Sequence, residues 1–409
     1  TLFGTGIAGA PRGRAAEMIA LINQTGARGI PVVSVDIPSG VDGNTGQVPG
    51  DAVQAVQTLT IGAPKTGLLF YPGRTRVGAV GVIDIGFPDA IVEKHSDPLY
   101  LLDDNEAALR LPARAPDIHK YEAGTLLVIA GSEQYRGAAL LTAEAALRGG
   151  CGMVYLAVPE CIHREMGALR EAIIVPLPQT VAGTIAPSTA NAVLKPYLEK
   201  ADAVAMGPGL GRNDDTDAFV REFVLSAGKP VVVDADALTA FAGNSADFKK
   251  TKTPIVITPH DGEMQRLVGE QPPTSPLDRI KFARTQANKL GVTLLLKGAP
   301  TLIASPNGSV WVAGSGTNAL ATGGTGDVLT GLVGSALAQT VGATRREAPG
   351  PSADLQPAQV ADAACVACFL HGRAGELAAR SRGVRGVIAG DLLAALGPAL
   401  VALESRMAR

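Results

Sequence analysis

The residues best suited to chemistry stand together late in the chain: Thr322-Gly323-Gly324-Thr325-Gly326-Asp327, followed by the helical run VLTGLVGSALAQ. Glycines let the backbone turn its N–H groups toward an anion, and a helix N-terminus adds its positive end. An aspartate at the mouth of such a cradle can take a proton from a substrate hydroxyl as a phosphoryl group is transferred. Asp327 is therefore the candidate catalytic residue, with Gly324 and Gly326 as phosphate-facing amides. Taken alone, Asp327 also fits an acid placed by the helix dipole. The four small residues before it favour chemistry.

Three other loops follow strand-like runs. Lys297-Gly298-Ala299-Pro300-Thr301 ends VTLLLKG, and a lysine at the carboxyl edge of a parallel sheet sits where ligands bind. Thr258-Pro259-His260-Asp261-Gly262-Glu263 ends PIVITP, and that location favours a ligand role for His260 over a structural one. Gly207-Pro208-Gly209-Leu210-Gly211 suits close backbone approach to a ligand, and equally a plain tight loop. Cys365 and Cys368 form a CxxC with His371 three residues on, but no second pair completes a four-ligand metal set. The segment AACVACFLHG reads instead as a buried helix face.

The elements that must hold these loops are apolar runs alternating with helical segments. GTLLVIAG (124–131), MVYLAV (153–158), ADAVAMG (201–207), PVVVDAD (230–236), PIVITP (254–259) and VTLLLKG (292–298) are mostly continuous, as expected of parallel strands covered on both faces. TLIASPNGSVWVAG predicts a hairpin with a two-residue turn at Asn307-Gly308. Upstream, a helix near 14–23, IPVVSVDI (30–37) and GAVGVIDIG (78–86) form an earlier α/β series. The proline-rich stretch 89–116, with its charged EKHSD, reads as a linker. The fold class is α/β with a largely parallel sheet. The chain begins at Thr1 with LFGTG, which looks like a strand end entering a glycine turn, so the first domain is expected to start part-way through.

Composition narrows the function. Of 409 residues, 46% are hydrophobic and only 4% aromatic, so small aliphatic side chains must build the core. With 36 basic against 38 acidic residues and no basic tract, the footprint of a nucleic-acid binder is missing. Four cysteines are too few for a disulfide scaffold, and no apolar run or leader suggests a membrane or secreted protein. A reduced, cytoplasmic protein is the expectation.

In order along the chain, HKYEAGTLLVIAGS, MGPGLG, VVVDADAL, TPHDGEM, LKGAPTLIA and TGGTGDVLTG resemble the ADP-dependent NAD(P)H-hydrate dehydratase family of the ribokinase-like superfold. The resemblance covers roughly 117–405. It implies a three-layer α/β/α domain over 117–409. Asp327 would be the general base. Ala138, Gly209, Gly211 and His260 would join it in the hydrate pocket. Lys297, Gly298, Ala299, Pro300 and Thr301, with Gly324 and Gly326, would hold the nucleotide. ADP would be the phosphoryl donor, and Mg²⁺ would screen its charge, although no metal-ligand pattern is legible.

Residues 1–88 resemble the second half of an NAD(P)H-hydrate epimerase domain, a partial Rossmann-like unit, through GTGIAGA (4–10) and DIPSGVD (36–42). That resemblance implies hydrate contacts at Gly4, Thr5, Gly6, Ile7, Ala8, Gly9, Ala10 and Asp36, and a potassium ion at Ser39. The family's amino-terminal half has no counterpart here, so epimerase activity is not expected to be complete, and a bared sheet edge is. Related enzymes assemble, so a homo-oligomer is expected. An alternative is a vitamin-precursor or sugar kinase of the same superfold. A silent nucleotide-binding scaffold is a third reading, disfavoured because both Lys297 and Asp327 are present.

Overall fold

The computed structural model describes residues 2–6, 9–95, 97–347 and 355–407. The chain separates into two compact units, residues 1–101 with 273–282, and residues 102–272 with 283–409. One sheet has three parallel strands and the other has ten, largely parallel.

In the smaller unit β1 (Val33–Val35), β2 (Gln57–Ile61) and β3 (Ala79–Ile83) pair in parallel in the order β1-β2-β3. Ile37, Leu68 and Val77 make a small core beside them, with Val80 packed on it. Val33 and Val35 on β1 are 50% and 42% exposed. The edge strand thus shows apolar side chains. β2 was not among the anticipated strands because QTLTI mixes polar and apolar residues; its two threonines are buried, and Thr58 donates to the Val77 carbonyl.

The larger sheet has ten strands: β4 (Leu99–Leu102), β5 (Thr125–Ile129), β6 (Met153–Pro159), β7 (Ile173–Leu177), β8 (Ala203–Met206), β9 (Val231–Val233), β10 (Ile255–Ile257), β11 (Thr293–Leu296), β12 (Leu302–Ala304) and β13 (Val310–Ala313). Their order is β4-β13-β12-β11-β10-β9-β8-β5-β6-β7. Pairing is parallel from β7 across to β11, and antiparallel from β11 to β12 and from β12 to β13. All five residues of β5 are buried, and its alternate residues Leu126 and Val128 join a core with Val328, Leu332 and Phe369 from the helices. Strands covered on both faces carry no alternation, which is why these runs read as uniformly apolar.

Two expectations need correction. The stretch 89–116 is not a plain linker: it holds a helix (Asp89–His95), β4 and a second helix (Asp104–Arg110) capped by Asp103. Its prolines lie between these elements, where they interrupt nothing. The β12–β13 hairpin turns on three residues, Pro306, Asn307 and Gly308, because Ser305 and Ser309 already pair through Ser305 N–H to Ser309 O at 2.9 Å. Gly308 takes the left-handed position, φ 99°, that closes such a loop.

Candidate active site

The carboxyl ends of β8, β9, β10 and β11 carry the loops that the sequence singled out, and the helix Thr325–Glu347 opens among them. Its first turn leaves backbone N–H groups without intrahelical partners. Gly324, just before it, has φ 86°, and a β-carbon there would lie 2.7 Å from Leu141 Cδ1. Only glycine serves at that position. The turn is braced from behind: Thr325 Oγ1 donates toward the carbonyls of Leu320 and Thr322, and His371 Nε2 lies 2.9 Å from the Thr325 carbonyl. Since a carbonyl can only accept, that imidazole carries its hydrogen on Nε2. Burial pushes the pKa of His371 down to about 4, so the ring is neutral at ordinary pH. Cys365 and Cys368 lie on the same helix, Pro357–Arg382, and are buried within the apolar core.

Asp327 occupies the first turn of its helix. Among the described residues no donor reaches its carboxylate. Burial first, then the charge of Asp234, raises its pKa to about 6, while Lys297 acts in the opposite direction and Asp236 adds to the rise. A carboxylate with such a pKa is mostly ionised at neutrality, yet basic enough to be well matched to accepting a proton.

Lys297 is placed by two acids. Its Nζ lies 3.1 Å from Asp234 Oδ1 and 3.4 Å from Glu263 Oε2. Burial opposes the ammonium charge, but the two carboxylates outweigh it and hold the lysine pKa above its ordinary value. A β-carbon on Gly326 would be 3.8 Å from this Nζ, so the ammonium and the glycine amides converge. His260 joins through the same acid. Its Nδ1 accepts from the Gly262 and Glu263 amides, while its own N–H donates to Glu263 Oε2, a reciprocal cap that starts the helix Asp261–Val268. With Nδ1 accepting, the hydrogen sits on Nε2, which lies 3.5 Å from Glu263 Oε1, and the side chain is 54% exposed.

The glycine loop after β8 adjoins the helix Arg136–Arg148. A β-carbon on Gly209, φ 62°, would come within 2.9 Å of Ala138 Cβ. Gly211 N–H donates to Asp236 Oδ2 at 3.0 Å. In the fourth loop Thr301 Oγ1 donates to the Gly298 carbonyl at 3.2 Å, and a cis peptide joins Ala299 to Pro300. Asp327, Gly324, Gly326, Lys297 and His260 are thus joined through shared neighbours, and Ala138 lies against Gly209. Asp234, Glu263 and Thr330 were not anticipated as site residues. The readable signal was that Asp234, like Lys297 and His260, ends a parallel strand.

The smaller unit arranges its candidates differently. Asp36 adopts φ 69° and its carboxylate is held by Lys65 Nζ and the Ile61 N–H. Ser39 Oγ accepts the backbone N–H groups of Leu2 and Phe3 at 3.0 and 3.1 Å. With its lone pairs engaged in this way, Ser39 does not fit as a potassium ligand. A β-carbon on Gly43 would lie 3.7 Å from Thr5 Cγ2, and one on Gly50 would lie 2.9 Å from Ala10 Cβ, so Thr5 and Ala10 lie against the segment that follows Asp36, while Gly4, Gly6 and Gly9 have open space where a β-carbon would stand. Ile7 and Ala8 lie outside the described residues.

Among the described residues no helix is long and apolar enough to cross a membrane, and no group of three or more His, Cys, Asp or Glu side chains is placed to hold a metal ion.

Residues 126–397 match the family described as NAD(P)H-hydrate dehydratase, and residues 1–67 match one described as YjeF-related protein N-terminus. The bifunctional NAD(P)H-hydrate repair enzyme Nnr of Moorella thermoacetica is 37% identical over 407 residues, 99% of this chain and 73% of that protein. The enzyme of the same name from Salinibacter ruber is 39% identical over 324 residues, 78% of this chain and 59% of that protein. The chain therefore spans about three fifths to three quarters of these two relatives. Among solved structures, the ADP/ATP-dependent NAD(P)H-hydrate dehydratase of Bacillus subtilis, co-crystallised with ATP and Mg²⁺, aligns with TM-score 0.59 and 29% identity over 75% of this chain and 99% of that one. A ribokinase-like superfamily protein of Enterococcus faecalis aligns with TM-score 0.61 and 25% identity over 76% of this chain and 98% of that one. The fold is ribokinase-like, and the chain belongs to the NAD(P)H-hydrate dehydratase family.

Proposed function

We propose that the larger unit restores NAD(P)H from its hydrate by nucleotide-driven dehydration. The hydrate carries a hydroxyl on carbon 6 of the reduced nicotinamide ring, and hydroxide is a poor leaving group. Asp327 takes the hydroxyl proton as the oxygen attacks the terminal phosphorus of ADP, and AMP leaves. The carbon–oxygen bond of the resulting ester then breaks: phosphate departs, a ring proton is lost, and the double bond of NAD(P)H forms. The balance is hydrate plus ADP giving NAD(P)H, AMP and phosphate.

The supporting observation is the raised pKa of an unpartnered Asp327 beside a turn of free amides and an ammonium group. The amides and Lys297 stabilise charge on the phosphoryl group in transit. Gly298, Ala299, Pro300 and Thr301 hold the nucleotide, and Ala138, Gly209, Gly211 and His260 line the hydrate site. Mg²⁺ would arrive on the nucleotide's phosphates, the usual way this ion is held, since among the described residues no group of three or more acidic, histidine or cysteine side chains is placed to hold it.

The test is to mix the chain with enzymatically prepared NADH hydrate, Mg²⁺ and either ADP or ATP, and to follow the dihydronicotinamide absorbance. Recovery of NADH with one AMP per turnover is expected with ADP. Phosphorylation of a thiazole, pyrimidine or sugar alcohol without NADH recovery would instead establish a small-molecule kinase. In the smaller unit, Gly4–Ala10 and Asp36 are the proposed hydrate contacts for epimerisation; chromatography of the R hydrate incubated alone tests them. A homo-oligomer in the cytoplasm belongs to the same proposal, with light scattering as the check on assembly.

A further inference from the structure

The glycine turn and Asp327 account for the transfer but leave a second carboxylate behind them without a task. Asp234 ends β9, is 2% exposed, and uses both oxygens: Oδ1 accepts from Lys297 Nζ, and Oδ2 accepts from Thr330 Oγ1 at 2.6 Å. Thr330 is three residues after Asp327 on the same helix, and its Oγ1 also lies 3.1 Å from the Gly326 carbonyl. The residue after Asp234, Ala235, has φ 47°, one of only two non-glycine positive values among the described residues. A left-handed alanine is strained and persists where its surroundings over-determine it. A buried ion pair, moreover, adds little to stability compared with an apolar pair of similar shape. Strain and a buried charge side by side call for a purpose other than stability.

We propose that Asp234 is a positioning residue, which pins the Lys297 ammonium and the first turns of the Thr325–Glu347 helix to one point through its two oxygens. The inference rests on the dehydratase reading. One oxygen aims the lysine at the phosphoryl site, and the other fixes the helix turn that carries Asp327. The charge has a further effect. Asp327 faces Asp234, Lys297 and Asp236, and Glu263 acts on it through Lys297. Removing the negative charge of Asp234 makes Asp327 easier to ionise and releases Lys297 from one of its two acids.

Asp234→Asn keeps the shape and removes the charge. The expected result is an acid limb of kcat displaced by about half a pH unit or more to lower pH, since a like charge nearby raises a carboxylate pKa. A kcat at pH 8 lower by roughly tenfold is also expected from a misplaced lysine, with little change in KM for NADH hydrate. An acid limb that does not move overturns the inference. Should this variant fail to fold, Thr330→Val and Thr330→Ser decide: slow turnover with valine and near-normal turnover with serine support the hydroxyl clasp, and equal rates overturn it. If the unaltered chain recovers no NADH with any nucleotide, the functional reading fails separately. The pH dependence of AMP affinity, by calorimetry, then tests the inference: a midpoint that shifts down in Asp234→Asn supports it, and an unshifted one overturns it.

Discussion

Two aspartates, one in each unit, are both opposed by burial and yet move in opposite directions. Asp36 of the smaller unit is held by Lys65 and the Ile61 amide, and these bonds bring its pKa below the usual carboxylate value despite burial. Asp327 of the larger unit has no such donor; burial and the charge of Asp234 raise it to about 6. A carboxylate tied to a cation is committed to structure, whereas an untied one keeps its affinity for a proton and can use it. The two sheets permit this difference. β5 is buried along its whole length and helices pack around it, so the larger unit can desolvate a charge. The smaller unit, whose edge strand β1 exposes its valines, gives its aspartate a partner instead.

The sharpest way to break this contrast is Asp327→Ala. It should lower ADP-dependent NADH recovery by about 10³-fold or more, the range of a lost general base, while AMP still binds by calorimetry. Recovery at the normal rate would end its assigned role. Next is Lys297→Met, which leaves Asp234 and Glu263 without their common cation. Breaking a buried pair is strongly destabilising, so urea unfolding should show a loss of roughly 3 kcal/mol, together with weaker ADP binding.

A smaller effect concerns Asp327 and stability. Its folded pKa lies above the unfolded value, so the protonated form is the one that folding favours. Its stabilising contribution is complete below the unfolded pKa near 4 and is lost as pH rises through about 6. Asp327→Asn should therefore be more stable than the native chain at pH 8, by on the order of 1–2 kcal/mol, and no more stable at pH 4. Denaturant titrations at the two pH values check both sign and window. Asp36→Ala should do least. Its ion pair is partly exposed, so about 1 kcal/mol or less is expected, and dehydration should proceed within about twofold of normal, because general-base catalysis is assigned elsewhere. A large loss of dehydration there would erase the distinction between the units.

The sequence made the parallel sheet readable because strands such as Val231–Val233 and Thr293–Leu296 are uniformly apolar, and it exposed the glycine turn because so few residue types tolerate that backbone. It concealed what depends on partners far along the chain. Asp234 acquires its meaning from Thr330, 96 residues later, and from Lys297, 63 residues later. β4 escaped notice because Leu99–Leu102 is four residues long and flanked by a proline and aspartates. The hairpin was visible, but its loop length turned on whether Ser305 and Ser309 close the ladder, which only their mutual hydrogen bond decides.

The imidazole of His371 behind the glycine turn has a further consequence. Because it gains a proton only near pH 4, its grip on the Thr325 carbonyl survives the whole interval in which the aspartate in front of it changes charge. Mild acid should therefore silence the enzyme without loosening the cradle, and neutralisation should restore it at once. The unfolded chain would take up that proton from pH 6.5 downward, so the buried ring's pull toward unfolding grows between pH 6.5 and about 4, over the same interval in which the carboxylate loses its charge.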